Sequence, residues 1–388
     1  MADNVAHVHQ DGTRGTLRNT NGLRLFGGGK RKTVSLPEYE PCHCKTLEPA
    51  AHLPDLRGSL GGRLVVRGYS GTGLPGHAMG GRLTDKKTFK AFKQAFDEGK
   101  IIRAHLLRCT WQLVSSEDFG WMRLLCYDKA LATMNGWTKS LGFAFGGKEK
   151  YQALSIIEKT VGDLGETTED VIGGALRRGG IPESHLVYNH QLRMAELEGI
   201  VCSGSLGPRN TYRLVSERIP NIRELPREET LALLARKYFR SHCPATLEDF
   251  VWWSGLNARD CQKGISAMGG ELFRERWKGR EFFIHKDFRT RGFRSGTLHL
   301  LPAYDEYLIG YKSRDVVLDP GLAHYAHNDH GIFRSVVAYN GEIVGNWKPS
   351  AKDGGVTIFK SGVRVPKELI DRQVAIYSAT FSGSRRCL

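Results

Sequence analysis

The chain has 388 residues and a mass of 43.3 kDa, with 56 Lys+Arg against 41 Asp+Glu and a formal net charge of +15. That length favours several domains over one core. No apolar run is long enough to cross a bilayer, and the polar start Met1–Gln10 lacks a signal-type segment, so a membrane or secreted protein is not expected. Eight Cys scattered singly make no disulfide framework and suit reduced thiols in a cytoplasmic protein, while the surplus of cations suits a polyanionic partner.

The charge is unevenly placed: residues 1–82 carry 11 Lys+Arg and 6 Asp+Glu, leaving +10 for the remainder. Residues 1–82 also hold 15 Gly between Asp11 and Arg82, and no helix or strand period persists there, so the tract reads as disordered and basic. Gly27-Gly28-Gly29 before Lys30-Arg31-Lys32 lacks the spacing and the Ser/Thr of a phosphate loop. Cys42-His43-Cys44 is too tight for zinc and has no second ligand pair nearby; no metal and no cofactor are expected.

From Leu83 onward regular periodicity appears. Lys86–Glu98 sets Phe89, Phe92 and Phe96 on one helical face and stops at Gly99, and Ile101–Val114 is rich in β-branched residues. Ser115 and Asp118 open a helix expected to end near Asn135-Gly136, completing a partial first unit over 83–150.

The next unit, 151–220, is more complete. A helix over Tyr151–Val161 precedes one capped by Thr167 and Asp170, and a third spans about Ser184–Glu198 to Gly199. Two short strands, Ile200–Ser203 and Thr211–Val215, flank a turn-rich link. Three helices followed by a hairpin is the winged-helix form of the helix-turn-helix, in which the third helix reads the major groove and the hairpin touches backbone. On that plan His185, His190 and Arg193 are groove candidates and Arg209 and Arg213 lie on the wing.

A similar unit occupies 221–290: a helix over Glu228–Phe239, a second capped by Thr246 and Asp249 and ended by Gly255, a third over Ala258–Met268 behind Asn257. Strands Leu272–Trp277 and Glu281–Ile284 fold back around Lys278-Gly279-Arg280, making Lys278 and Arg280 further DNA candidates. Trp252 and Trp253 are offered both by base stacking and by core packing, with packing favoured because aromatic burial dominates small cores.

Residues 291–388 turn β-rich, with strands over Thr297–Leu301, Val316–Leu318, Ile332–Tyr339 and Glu342–Trp347 and a two-residue hairpin turn at Asn340-Gly341. A barrel-like module is expected. Asp305 and Glu306, neighbouring carboxylates on one loop, are offered as an acid or base, with solvated acids or partners of Arg314 the favoured reading, and Arg314 is itself the last cationic DNA candidate. The fold class expected is thus α+β: tandem winged helices closed by a β-rich C-terminal module.

The segments RAHLLRCTWQLVSSEDFGWM, MAELEGIVCSG, TYRLVSERIP, LARKYFRSHCPATLEDFVWWSGL, LLPAYDEYLIGYKSRDVVLDP and GEIVGNWK resemble the bacterial winged-helix DNA glycosylases, in order, from about Leu83 to Ser382. The resemblance implies a monomeric, metal-free protein that cradles duplex DNA to excise alkylated bases or unhook interstrand crosslinks. It also implies a Gln-x-Gln or Gln-x-Asp pair near the N-terminus that orients water and stabilises the departing sugar cation. Here Ser70 and Thr72 stand where that pair is expected, and Gln112 stands where the family often has His. Read one nucleotide later, the codons for Gly68–Gly81 permit Gln at both sites and force Trp at the overlap of Met79 with its Gly neighbour. An out-of-frame tract before Leu83 would account for the glycine richness and the lost motif together.

Two other readings fit. A transcriptional regulator needs the same winged helices and the same +10, and would select one operator where a repair protein selects lesions. A misassembled product would leave Phe89, Phe92 and Phe96 uncovered.

Overall fold

The computed structural model describes residues 86–140, 147–182, 184–288, 295–348 and 354–381, together with the strands β1 (Gly22–Leu25), β2 (Lys32–Ser35) and β3 (Val65–Arg67). Ser70, Thr72, Gly27-Gly28-Gly29 and Cys42-His43-Cys44 lie outside the described residues, as do the side chains of Phe89 and His185. The three strands are the exception to a tract read from sequence as irregular.

The first unit continues with α1 (Lys86–Asp97), β4 (Ile101–His105), β5 (Trp111–Ser115) and α2 (Ser116–Ser140). Phe92 and Phe96 of α1 are buried. Ser115 donates to Asp118 at 2.8 Å where α2 begins, but the helix runs on through Gly136. One helical glycine costs only about 1 kcal/mol against Ala, too little to stop a helix that packs on both its neighbours.

The second unit comprises α3 (Lys148–Leu164), β6 (Thr167–Thr168), α4 (Glu169–Arg178), α5 (His185–Glu198), β7 (Val201–Ser203), β8 (Thr211–Leu214) and the single turn α6 (Val215–Arg218). Thr167 was expected to cap α4; it pairs instead with Tyr212, because its extended backbone completes the edge of the small sheet. The third unit follows as α7 (Arg227–His242), α8 (Leu247–Ser254), α9 (Ala258–Ala267), β9 (Leu272–Trp277) and β10 (Arg280–His285). Its caps are those read from the sequence. Thr246 and Asp249 bond reciprocally, Asn257 accepts from the Asp260 amide at 2.9 Å, and Gly255 ends α8 at φ 73°. A Cβ on Gly255 would lie 2.7 Å from the Arg108 side chain, so this glycine also permits a close approach of the first unit.

The same sheet order recurs in each unit. The orders are β3-β5-β4 in the first and β6-β8-β7 in the second, so the last strand lies in the middle and the first joins it at the edge. In the third, β10 pairs with β9, and Ala245 bridges Phe283 of β10 where an edge strand stands in the others. The units are fused rather than strung out. One apolar cluster joins Ile102, Val114 and Trp121 to Tyr238, Phe250 and Trp253, and the buried pair Lys237–Asp118 (2.7 Å) ties α7 to α2.

The C-terminal module contains β11 (Leu298–Leu301), α10 (Glu306–Ile309), α11 (Ala323–Ala326), β12 (Val336–Tyr339), β13 (Glu342–Asn346), β14 (Thr357–Ile358) and α12 (Lys367–Phe381). Asn340 and Gly341 both take positive φ, 49° and 81°, as a two-residue hairpin turn of the primed type requires. Two expectations fail here. Val316–Leu318 forms turns, not a strand. The sheet is not barrel-like: it is an open antiparallel array in the order β11-β12-β13-β14, too few and too short to close, with one face covered by α12 through Leu369, Val374 and Tyr377.

Candidate nucleic-acid interface

The helix read as groove-facing, α5, lies inside the molecule. Val187, Leu192, Met194, Ala195 and Leu197 are buried, and so are the polar side chains of His190, Gln191 and Glu196, so most of its circumference packs against protein. Glu196 reaches the first unit, accepting from the His105 backbone at 3.0 Å and standing 2.5 Å from His105 Nδ1. His190 is only 8% exposed, and burial pushes its pKa down to about 4, so it is a neutral interior imidazole and cannot meet a groove. Arg193 is half-buried with its guanidinium 5.1 Å from the Trp137 ring.

The wing of the second unit is likewise engaged. Arg209 is exposed and paired with Asp170 at 2.5 Å, and Arg213 lies 3.9 Å from Glu217. Leu206 N donates to Asp97 at 2.7 Å and Arg218 donates to Phe96 and Gly204 carbonyls, which pins this hairpin to α1.

The third unit presents a different surface. On α9, Arg259, Gln262, Lys263 and Ser266 are exposed at helical spacing i, i+3, i+4, i+7, while Cys261, Gly264 and Ile265 pack inward. Beside them the β9–β10 hairpin exposes Arg274, Arg276 and Lys278. Lys278 sits at φ 48° in the turn, its ammonium 4.5 Å from the Trp277 ring, and Arg280 is held by both carboxylate oxygens of Asp315 at 2.9 and 3.0 Å. Between α8, α9, the hairpin and the Lys312–Ser313 loop lies a cleft of ≈ 910 Å³. Gln262, Ser266, Arg274, Arg280 and Lys312 face it, with Glu248 and Glu281 on the same walls. Sequence reasoning named Lys278 and Arg280 and missed Arg259, Gln262, Lys263 and Ser266. The signal was present in the clean alternation of these polar residues with Cys261, Gly264 and Ile265.

Arg314 turns inward. Its Nε donates to Leu308 O at 2.8 Å and its guanidinium packs 4.9 Å from Phe333 and 5.6 Å from Trp252, while burial lowers its pKa to about 10. Arg108, at φ 56°, stacks on Trp252 at 4.8 Å, so two cations from different modules share one indole. The two tryptophans divide: Trp253 is core, Trp252 is 38% exposed. Asp305 and Glu306 are buried, neither solvated nor paired with Arg314. Asp305 caps α10 by accepting from Tyr307 N at 2.8 Å, and Glu306 accepts from Trp253 Nε1 at 3.0 Å and lies 3.2 Å from His242 Nε2.

Gln112 is fully buried on β5, in register with Arg67 of β3. Its Nε2 donates to Thr110 Oγ1 at 2.7 Å and Leu107 O at 3.2 Å, whereas its Oε1 has no partner among the described residues. Among the described residues no group of His, Cys, Asp or Glu gathers to hold a metal, and no helix is long and apolar enough to cross a membrane.

The described residues thus form three fused helix–hairpin units, the third of which exposes Arg259 and Lys263 on one helix face. Residues 77–365 match the family described as DNA glycosylase AlkZ-like, and the chain belongs to that family. It is 27% identical over 198 residues to an interstrand DNA cross-link repair glycosylase of Streptomyces sahachiroi, a match covering 48% of this chain and 53% of that protein. The chain thus spans about half the length of the curated relative it matches. The solved structure of Streptomyces sahachiroi DNA glycosylase AlkZ superposes with a TM-score of 0.67 at 19% identity, covering 89% of this chain and 96% of that one, which establishes likeness of fold. The family match begins after Ser70 and Thr72.

Proposed function

We propose that the three units, at about 83–150, 151–220 and 221–290, are winged helices, and that the chain binds duplex DNA as a lesion-directed glycosylase relative with impaired base excision. The carrying observation is the recurrent sheet order, first strand beside last and last beside second, in the first and second units, with an Ala245–Phe283 bridge in the same place in the third, in a chain of a DNA glycosylase family. That is the strand plan of a winged helix, whose hairpin and third helix suit a duplex. The crosslinked duplex follows the relative's name, and alkylated duplex is what the resemblance to the winged-helix glycosylases implies, bound by a monomer in the cytoplasm.

Impairment rests on chemistry. Hydrolysis of an N-glycosidic bond needs a held water and a group that stabilises positive charge on the sugar. The Ser70 and Thr72 hydroxyls are shorter than an amide or carboxylate and supply neither at the same reach. Gln112 Oε1 offers an acceptor beside β3, but a neutral acceptor alone does not hydrolyse the bond.

The test incubates the full chain with alkylated, crosslinked and unmodified duplexes and measures binding by fluorescence anisotropy and abasic sites by alkaline cleavage. The expected result is lesion-preferring binding with base release near background. Robust release overturns the impairment, and selection of one unmodified sequence overturns the repair reading in favour of a regulator.

A further inference from the structure

We infer that α9 of the third unit, rather than α5 of the second, is the helix that enters the major groove of the duplex. The inference rests on the winged-helix reading and assigns the contact within it. The two helices hold equivalent places in equivalent units, so their surroundings decide between them. Helix α5 packs against its own unit and the first, its Glu196 is satisfied by His105, and Leu186, exposed to 51% among its described side chains, is apolar. Helix α9 has one face in the core and the other in solvent.

The chemistry of the exposed stripe fits a duplex. Arg259 and Lys263 supply two cations one turn apart, and Gln262 and Ser266 supply donors and acceptors suited to base edges in the major groove. No acid interrupts the stripe: Asp260, the carboxylate on α9, is turned to Arg227 at 2.7 Å and to Asn257. At ten residues α9 is about 15 Å long, enough to cross a groove about 12 Å wide. The flanking hairpin brings Arg274, Arg276 and Lys278 to the same side, where wing cations meet phosphates. Gly269 and Gly270, just beyond α9, have no described residue within 4 Å of a built Cβ.

The experiment measures binding of the full chain to a fluorescein-labelled unmodified duplex across a salt series. It compares the parent chain with Arg259→Ala/Lys263→Ala, with Lys278→Ala, and with the control Arg209→Ala. Each side chain is exposed, and unchanged melting confirms the fold. The expected result is a weakening of about tenfold or more for the α9 double variant, with a log K against log salt slope shallower by about two. Lys278→Ala should shift the slope by about one and Arg209→Ala should leave it unmoved. A parent chain that binds with a steep salt slope while the α9 variant keeps that slope overturns the assignment and leaves the winged-helix reading standing. A parent chain with no salt-dependent binding overturns the reading itself.

Discussion

His105 on β4 and Glu196 on α5 form a buried junction between the first and second units, with Nδ1 and the carboxylate oxygen 2.5 Å apart and the His105 amide donating to the same oxygen at 3.0 Å. Burial pulls the imidazole below its ordinary pKa more strongly than the Glu196 charge raises it, so His105 is neutral and donates from Nδ1. Removing the carboxylate orphans two buried donors. Glu196→Ala is expected to cost about 2–4 kcal/mol, since an unpaired buried polar group loses its solvation without return. Arg209→Ala, which breaks the exposed pair with Asp170, should cost less than about 1 kcal/mol. Urea unfolding of both variants checks the contrast; equal losses would refute it.

Acid should weaken the fold before the carboxylates titrate. His190, at about 4 when folded, binds its proton more readily in the unfolded chain, where it titrates near 6.5. In that window the unfolded state carries more protons, so stability rises with pH, is fully present above about 6.5 and is lost as pH falls toward 4. Between pH 7.5 and 5 this one group amounts to about 2 kcal/mol. The buried His105 shifts in the same direction and adds to the slope. Urea midpoints at the two pH values measure it, and His190→Gln should flatten the dependence; an unchanged slope in that variant would sink the assignment.

What could be read from the sequence follows from how local its cause is. Caps are short-range, so Thr246 with Asp249, Asn257 and the Gly255 stop were legible, as was the Asn340-Gly341 turn. The choice of groove helix was not, because it depends on what lies outside the unit. His190 and Arg193 look like surface residues by type, yet one is buried and the other half-buried, Arg193 over Trp137 of the first unit. The two-sided pattern of α9 was legible, whereas the mixed polar and apolar sequence of α5 did not announce its burial. The openness of the C-terminal sheet was not legible either, since alternation within strands does not report how many pair.

Trp252 and Trp253 should respond very differently to truncation although they are adjacent. Trp253 is 1% exposed, rests on Tyr238 with ring centroids 4.9 Å apart and donates to Glu306. Trp253→Ala leaves a large cavity and is expected to cost about 3–5 kcal/mol. Trp252 keeps part of its ring in solvent, donates from Nε1 to Ile309 O at 3.1 Å and lies under the guanidinium groups of Arg108 and Arg314. Trp252→Ala is expected to cost about 1–2 kcal/mol, the scale of the two cation–π contacts. Thermal and urea unfolding read both, and a Trp252 loss as large as that of Trp253 would contradict the division.

Gln112 poses the reverse case, a buried amide with one half satisfied. Its Nε2 makes two hydrogen bonds, but its Oε1 gave up water without a partner among the described residues. Replacement by Leu removes both halves at similar volume. The lost bonds, about 1 kcal/mol each net, are opposed by relief of the unpaired acceptor at about 1–3 kcal/mol, so Gln112→Leu should change stability by less than about 1 kcal/mol. A loss of 3 kcal/mol or more in urea unfolding would mean that Oε1 is bonded in solution.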